Sequence, residues 1–372
     1  MSRQRLHGLD AARSTMVLLG VIVHAAIVMP AFAEVPSSDQ GVLNAVYAVI
    51  HQFRMPAFFL ISGLFSAQIL KTEGARAYLV SRFKRIVSVM ATAALIIAPL
   101  LYQTGCVWCS TDAPQDYLHT GWIYLWFLYY LAIISHLALL ASLVASRLPK
   151  SFTSKVAKFV DSASFRPHVL LLMGLLMASI PGVIDASGQV RIDMGFVPNL
   201  SLIVYFSVWF SIGWLMYRSV DRLLSDLTRF AWVNLVLGLA LSATSWAAFN
   251  IWHSTWQAGI QVLAVAFVTF AVLGLFMKYL HTENPTITYV SNASYWVYLF
   301  HAPILFAIIA WLGGTGLNIY LVALIAIVVT LAITLASYHW LVRSTIIGRY
   351  LSGRRRPRRQ EALAGNGAAR AQ

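Results

Sequence analysis

The sequence predicts an all-α fold, a polytopic integral membrane helical bundle of about ten transmembrane helices, and three observations predict it. Of 372 residues, 59% are hydrophobic and only 11% charged, too little polar surface for a soluble protein of this length. Apolar runs of about 20 residues, the length that crosses roughly 30 Å of hydrocarbon, recur along the whole chain. Between them the basic residues accumulate on one side, as the positive-inside rule requires.

The runs lie near 9–31, 43–68, 83–103, 121–146, 168–186, 199–218, 229–249, 257–280, 290–311 and 316–342. The fifth closes on "IPGVIDASG", and the ninth and tenth are separated only by "LGGTG". With the amino terminus inside, 24 of the 27 basic residues fall on the inner face, which leaves Arg13, Arg54 and Arg191, and of these only Arg191 sits in an outer loop. Both termini are therefore expected in the cytoplasm, and the chain is expected to be a multi-pass protein of the cytoplasmic (inner) membrane. Residues 1–348 read as one transmembrane domain, and residues 349–372, which contain "GRRRPRR", as a basic cytoplasmic tail too poor in apolar residues to order itself. The net charge of +14, distributed in this way, reads as a topology anchor against anionic lipid and not as a nucleic-acid surface. An apolar run followed by "AFA" at residues 31–33 also imitates a cleaved signal peptide, although a histidine inside its hydrophobic region is unusual for one.

Cys106 and Cys109 share the outer loop "TGCVWCSTDAPQD". A short disulfide, a pair of free thiols and a redox pair are the readings of that spacing, and the loop offers no further ligands for zinc, so no metal is expected.

Arg13 and Arg54 lie inside predicted spans, where each costs roughly 2.5–3.5 kcal/mol at a helix centre unless it finds a polar partner or a wet cavity. Arg13 is near enough to the inner surface to snorkel; Arg54, in "HQFRMPAFFLISG", is not. His24, His51 and His301 fall at similar depths, which suggests a shared polar cavity over three separate helix-packing hydrogen bonds. Arg13 and His24 are eleven residues apart, close to three full turns, so they share one helix face about 16 Å apart along the axis. That polar stripe suits a long substrate entering from inside and reacting deep in the bundle. Tyr298 and His301, three apart on the ninth helix, form either a second wall of the site or a packing contact. Trp126, Tyr129 and Tyr130 read either as a sugar platform or as an ordinary interfacial aromatic belt.

With "LDAAR" followed after ten intervening residues by His24, "HQFRMPAFFLISGLF" in the second helix, "SRFKRI" opening the third, "LWFLYYL", "FSIGWLMYR" and "SYWVYLFHAPI", the chain resembles the membrane-bound acyltransferase-3 family. The matches run through most of the chain in the family's order. The resemblance implies transfer of an acyl group, acetyl or succinyl, from cytoplasmic acyl-CoA (acetyl-CoA or succinyl-CoA) to a hydroxyl of an extracytoplasmic carbohydrate such as a periplasmic glucan. The acyl-CoA is then a donor substrate, with no permanently bound cofactor. It implies that His24 is the essential histidine, Arg13 its basic partner, and Arg82 and Arg85 part of the donor side. The chain looks like the membrane module alone, so no soluble acyltransferase or hydrolase-like domain is expected beside it.

The chemistry leads to the same residues without the resemblance. Acyl transfer from a thioester to an alcohol needs a base, a group to hold the oxyanion and a path for the donor. A neutral imidazole accepts a proton, so His24 is the candidate general base, acting directly or through an acyl intermediate. Arg54 is the candidate for the oxyanion or, with a succinyl donor, for its far carboxylate, which a guanidinium holds with two hydrogen bonds. His51 is placed to orient substrate or His24. Arg13, Arg82 and Arg85 would meet the donor phosphates at the inner mouth. The rival class, a transporter of an envelope glycan or small molecule, would bring acidic residues into the spans and an internal repeat; the spans are nearly free of Asp and Glu, and no clear repeat is visible.

Overall fold

The computed structural model describes residues 7–103, 122–151, 153–155, 158, 167–184, 189–249 and 255–352. Cys106 and Cys109 lie outside the described residues, as does the tail beyond Ser352. Among the described residues the α-helices with full bounds follow in order: α1 His7–Phe32, α2 Ser37–Arg82, α3 Ser88–Gln103, α4 Trp126–Arg147, α5 Pro167–Ala178, α6 Leu200–Met216, α7 Val220–Phe249, α8 Thr255–Tyr279, α9 Pro285–Gly313, α10 Ile319–Ser337 and α11 Ile346–Ser352. Among the described residues there is no strand, only an isolated antiparallel bridge between Ile184 and Val190.

The starts of three helices can be read directly from side chains. Asn199, Asn284 and Asn318 each precede a helix and accept a hydrogen bond from a backbone N–H of the first turn, and Pro285 follows its cap at the position where a missing N–H costs nothing.

Seven continuous helical stretches among the described residues are long and apolar enough to cross a membrane. Two of them run through joints between helices, Ser37–Leu101 with 65 residues and Leu200–Ala247 with 48, each more than twice what one crossing needs. The expected second and third runs meet in the first of these, and the sixth and seventh in the second. The fifth expected run is shorter than its hydropathy suggests. Helix α5 has only 12 residues, about 18 Å, because Pro181 and Gly182 at φ 71° turn the chain before the apolar run ends.

Helix α8 is the centre of the bundle, with 72% of its most apolar window buried against 28–44% in the other stretches. It packs against α7, α5, α2 and α1, while α1 packs against α9 and α2 against α6. Helices α2 and α6 approach until their backbones touch: a methyl on Gly63 would collide with the carbonyl of Phe210, and one on Gly213 with that of Leu60. Phe59 and Phe206 stack beside this crossing at 4.4 Å, within an aromatic core that includes Tyr205, Trp209, Phe210 and Phe270. The outside carries large exposed apolar side chains, among them Leu95, Leu172, Leu176, Val236, Leu324 and Trp340, as a surface solvated by lipid does.

Candidate functional site

A cavity of about 490 Å³ runs through the bundle beside α1. Asp10, Arg13, Val17, Gly20 and His24 line it, and their spacing of three and four residues is that of a single helix face. The polar stripe expected from the eleven-residue separation of Arg13 and His24 is therefore one wall of a continuous space. Arginines stand at one end, histidines and tyrosines at the other. Phe58, Ile61, Phe65, Phe127, Leu128 and Leu131 make the wall between them apolar.

At the histidine end, His24 and His301 meet edge to face, with ring centroids 4.9 Å apart and Nε2 of His301 3.3 Å from Nδ1 of His24. His24 Nδ1 also lies 2.7 Å from the carbonyl of Gly20, and His301 Nδ1 lies 2.7 Å from that of Tyr298. Tyr124 and Tyr298 complete this end through a reciprocal clasp. The Tyr124 hydroxyl donates to the carbonyl of Leu299 at 2.6 Å, and the Tyr298 hydroxyl donates to the carbonyl of Tyr124 at 3.0 Å. The Leu299 carbonyl is free to accept because Pro303, four residues later, has no N–H to offer it. Tyr124 reaches it from a short 3₁₀ turn, Ile123–Leu125, whose first residue holds φ 48°, a left-handed conformation that β-branched residues rarely adopt.

Arg54 projects from α2 over Gly20, in the space that a side chain at position 20 would fill. Its Nε is buried with no hydrogen-bond partner among the described residues, and its side chain lines the cavity with His24 and His301. A guanidinium so placed is a preorganised donor for an anionic oxygen. His51, one turn earlier, does not line this space. It is stacked on Tyr47 at 4.9 Å, and its Nε2 lies 3.2 Å from the carbonyl of Val190. His51 is thus held by Tyr47 and the Val190 carbonyl, and is not among the residues that line the cavity with His24. Trp126 lines the cavity, but Tyr130 is wholly buried and its hydroxyl accepts from the Asn199 N–H at 2.9 Å. Tyr130 anchors the start of α6 and is not among the residues that line this cavity.

At the arginine end, Arg13 donates to Ser291 Oγ at 2.9 Å and pairs with Asp10 at 3.3 Å. Arg82 and Arg85 also line the cavity. They sit where α2 passes into a π-helical turn, Phe83–Val87. Helix α2 is broken at Gly74, whose φ of 83° and ψ of 174° redirect the chain so that Tyr78 bonds the Ser135 carbonyl and Arg82 stacks over Tyr78. The π turn is held by the Tyr295 hydroxyl, which donates to the Arg85 carbonyl. Arg343, which follows a second π turn at Tyr338–Val342, joins this end of the cavity. Four arginines thus surround a mouth whose lining holds one carboxylate, Asp10, among the described residues, an arrangement that attracts a polyanion.

The structure thus gathers Arg13, His24, Arg54, Arg82, Arg85, Trp126, Tyr298 and His301 into one space. Sequence reasoning missed Tyr124, Ser291 and Arg343. The signal for Tyr124 was faint, one tyrosine among many aromatics, whereas Arg343 was visible only as one more inner basic residue. Among the described residues no group of three His, Cys, Asp or Glu side chains is placed to hold a metal ion.

Residues 6–339 match the family described as "Acyltransferase domain". Over 380 residues the chain is 23% identical to "Glucans biosynthesis protein C" of Salmonella schwarzengrund strain CVM19633, covering 98% of each sequence. It is 24% identical over 317 residues to the protein of the same name from Salmonella paratyphi A, covering 81% of this chain and 82% of that one. No solved structure matches.

Proposed function

Since the chain belongs to the membrane-bound acyltransferase-3 family, we propose that this membrane acyltransferase moves an acyl group, succinyl or acetyl, from a coenzyme A thioester to a hydroxyl of an extracytoplasmic carbohydrate, a periplasmic glucan being the first candidate. The observation that carries the reading is the cavity itself. Cationic at one end, apolar along its middle and furnished with imidazoles and a guanidinium at the other, it matches a donor with phosphates at one end, a thin neutral arm and a reactive thioester at the far end. The names of the relatives support a glucan as acceptor. The topology that suits it has ten crossings in the inner membrane, with both termini and the arginine end in the cytoplasm.

In the reaction, the acceptor hydroxyl gives its proton to His24 Nε2 as its oxygen bonds to the thioester carbonyl carbon. Arg54 holds the oxyanion of the tetrahedral intermediate. The carbon–sulfur bond then breaks, and the leaving thiolate takes the proton from His24, which returns neutral. The products are an ester on the sugar and the free coenzyme thiol. Arg13, Arg82 and Arg85 hold the phosphates.

The test is purified protein in lipid nanodiscs, supplied separately with succinyl-CoA and acetyl-CoA and a neutral glucan oligosaccharide, with thiol release and the acylated sugar both measured. His24→Ala should abolish acyl-sugar formation while keeping the protein folded; wild-type turnover by that variant would sink the assignment. In cells, deletion of the gene followed by mass spectrometry of envelope glycans identifies the acyl group by the mass that disappears.

A further inference from the structure

We propose that His301 is a positioning residue for His24: with the Gly20 carbonyl it fixes the tautomer in which Nε2 carries the lone pair, and it shares the charge when that nitrogen takes the hydroxyl proton. The inference rests on the reading of His24 as the general base. It starts from the fact that a carbonyl oxygen only accepts hydrogen bonds. His301 Nδ1 lies 2.7 Å from the Tyr298 carbonyl and 3.1 Å from that of Val297, so Nδ1 bears the proton and Nε2 of the neutral ring is an acceptor. His24 Nδ1 lies 2.7 Å from the Gly20 carbonyl, so it too bears a proton, and that same N–H is 3.3 Å from His301 Nε2.

These protons are assigned from the hydrogen-bond network, and the opposite assignment fails on electrostatic grounds. With His24 protonated on Nε2 instead, its Nδ1 lone pair would face the oxygen of Gly20 and the acceptor nitrogen of His301, three electron-rich atoms in mutual contact. The observed arrangement keeps His24 Nε2 free to act as a base.

In the familiar serine-hydrolase arrangement a carboxylate bonds the Nδ1–H of the catalytic imidazole, sets its tautomer and stabilises its cation. Here the one carboxylate lining the cavity among the described residues is Asp10, fourteen residues and about 21 Å along α1 from His24. His301 stands where that carboxylate would be. It is 2% exposed, its ring is enclosed by Tyr124 and Tyr298 as well as His24, and it needs no negative charge to do the work. A neutral acceptor suits a site that also holds the Arg54 guanidinium, since a carboxylate there would compete with substrate oxygens for it.

The experiment compares wild-type protein, His301→Gln and His301→Phe in nanodiscs, with succinyl-CoA and a neutral glucan oligosaccharide as probes. Glutamine offers an acceptor oxygen near the position of Nε2, whereas phenylalanine fills the space without one. His301→Phe should lose about 100-fold in kcat with both KM values within about twofold of wild type, and His301→Gln should keep most of the rate. Equal losses in the two variants, or a loss confined to the acceptor KM, would overturn the proposal and return His301 to a substrate wall. If His301→Phe does not fold, nitrogen-15 spectra of histidine-labelled wild-type protein decide, with the His24 signals identified by their absence from His24→Ala. A protonated Nδ1 and bare Nε2 support the assignment, and the reverse refutes it. Full activity in His24→Ala, by contrast, would remove the base itself and not merely its partner.

Discussion

Replacing Gly20 with alanine adds one methyl group to the middle of α1, a change that ordinarily favours a helix by about 0.8–1 kcal/mol. In this chain the methyl would enter the space held by Nη1 of Arg54. Ordinary van der Waals contact begins near 3.4 Å, so the guanidinium must withdraw by about 1 Å to make room. A misplacement of that size at a reacting centre costs roughly 100-fold in rate, and loss of one oxyanion donor costs about 10²–10³. Gly20→Ala should therefore keep or raise the melting temperature in nanodiscs while lowering kcat about 100-fold. Because the loss acts through Arg54, combining it with Arg54→Gln should add little to the loss caused by Arg54→Gln alone, a non-additivity that a double-mutant cycle reads directly. Wild-type kcat in Gly20→Ala, or strictly multiplicative losses in the double variant, would refute the reasoning.

Three further outcomes are expected. Arg82→Gln with Arg85→Gln should raise the donor KM by about tenfold or more and leave kcat nearly unchanged, as measured by steady-state kinetics over donor concentration; an unchanged KM would return both residues to the role of topology anchors. Gly213→Val should prevent α2 and α6 from closing on one another, so size-exclusion chromatography in detergent should show aggregated or unstable protein, a loss of several kcal/mol being the ordinary result of overpacking against backbone. Tyr124→Phe removes the bond to the Leu299 carbonyl and leaves that buried oxygen without its donor, so thermal unfolding should report a loss of about 1–3 kcal/mol together with slower turnover.

How much of this was legible in the sequence depended on whether the feature was local. Arg13 and His24 share a face because eleven residues nearly complete three turns, and no tertiary information is needed to see it. His301 and Tyr298 could be paired in the same way. His51 could not be placed, since whether it meets substrate depends on where Val190, 139 positions away, folds back. Tyr124 was lost among interfacial aromatics because its role depends on a left-handed Ile123 and on a proline in another helix. Arg343 read only as inner basic charge because hydropathy gives the depth of a residue but not the path that a π turn imposes. The fifth apolar run shows the reverse error: composition continued to residue 186, but proline and glycine chemistry stopped the helix at Ala178.

The clasp between Tyr124 and Tyr298 has an electrical side. On the proposed reading the substrates arrive from opposite faces of the membrane, and such an enzyme is most of an ion pore: a cavity lined by arginines at one end would leak anions down the transmembrane voltage if its other end stood open. The Tyr124 and Tyr298 hydroxyls, each bonded to the backbone of the other's helix or turn, spend their protons on carbonyls and offer none to a passing ion. Under the proposed function, the side chains that shape the histidine end would then bear on ion leak as well as on acyl transfer.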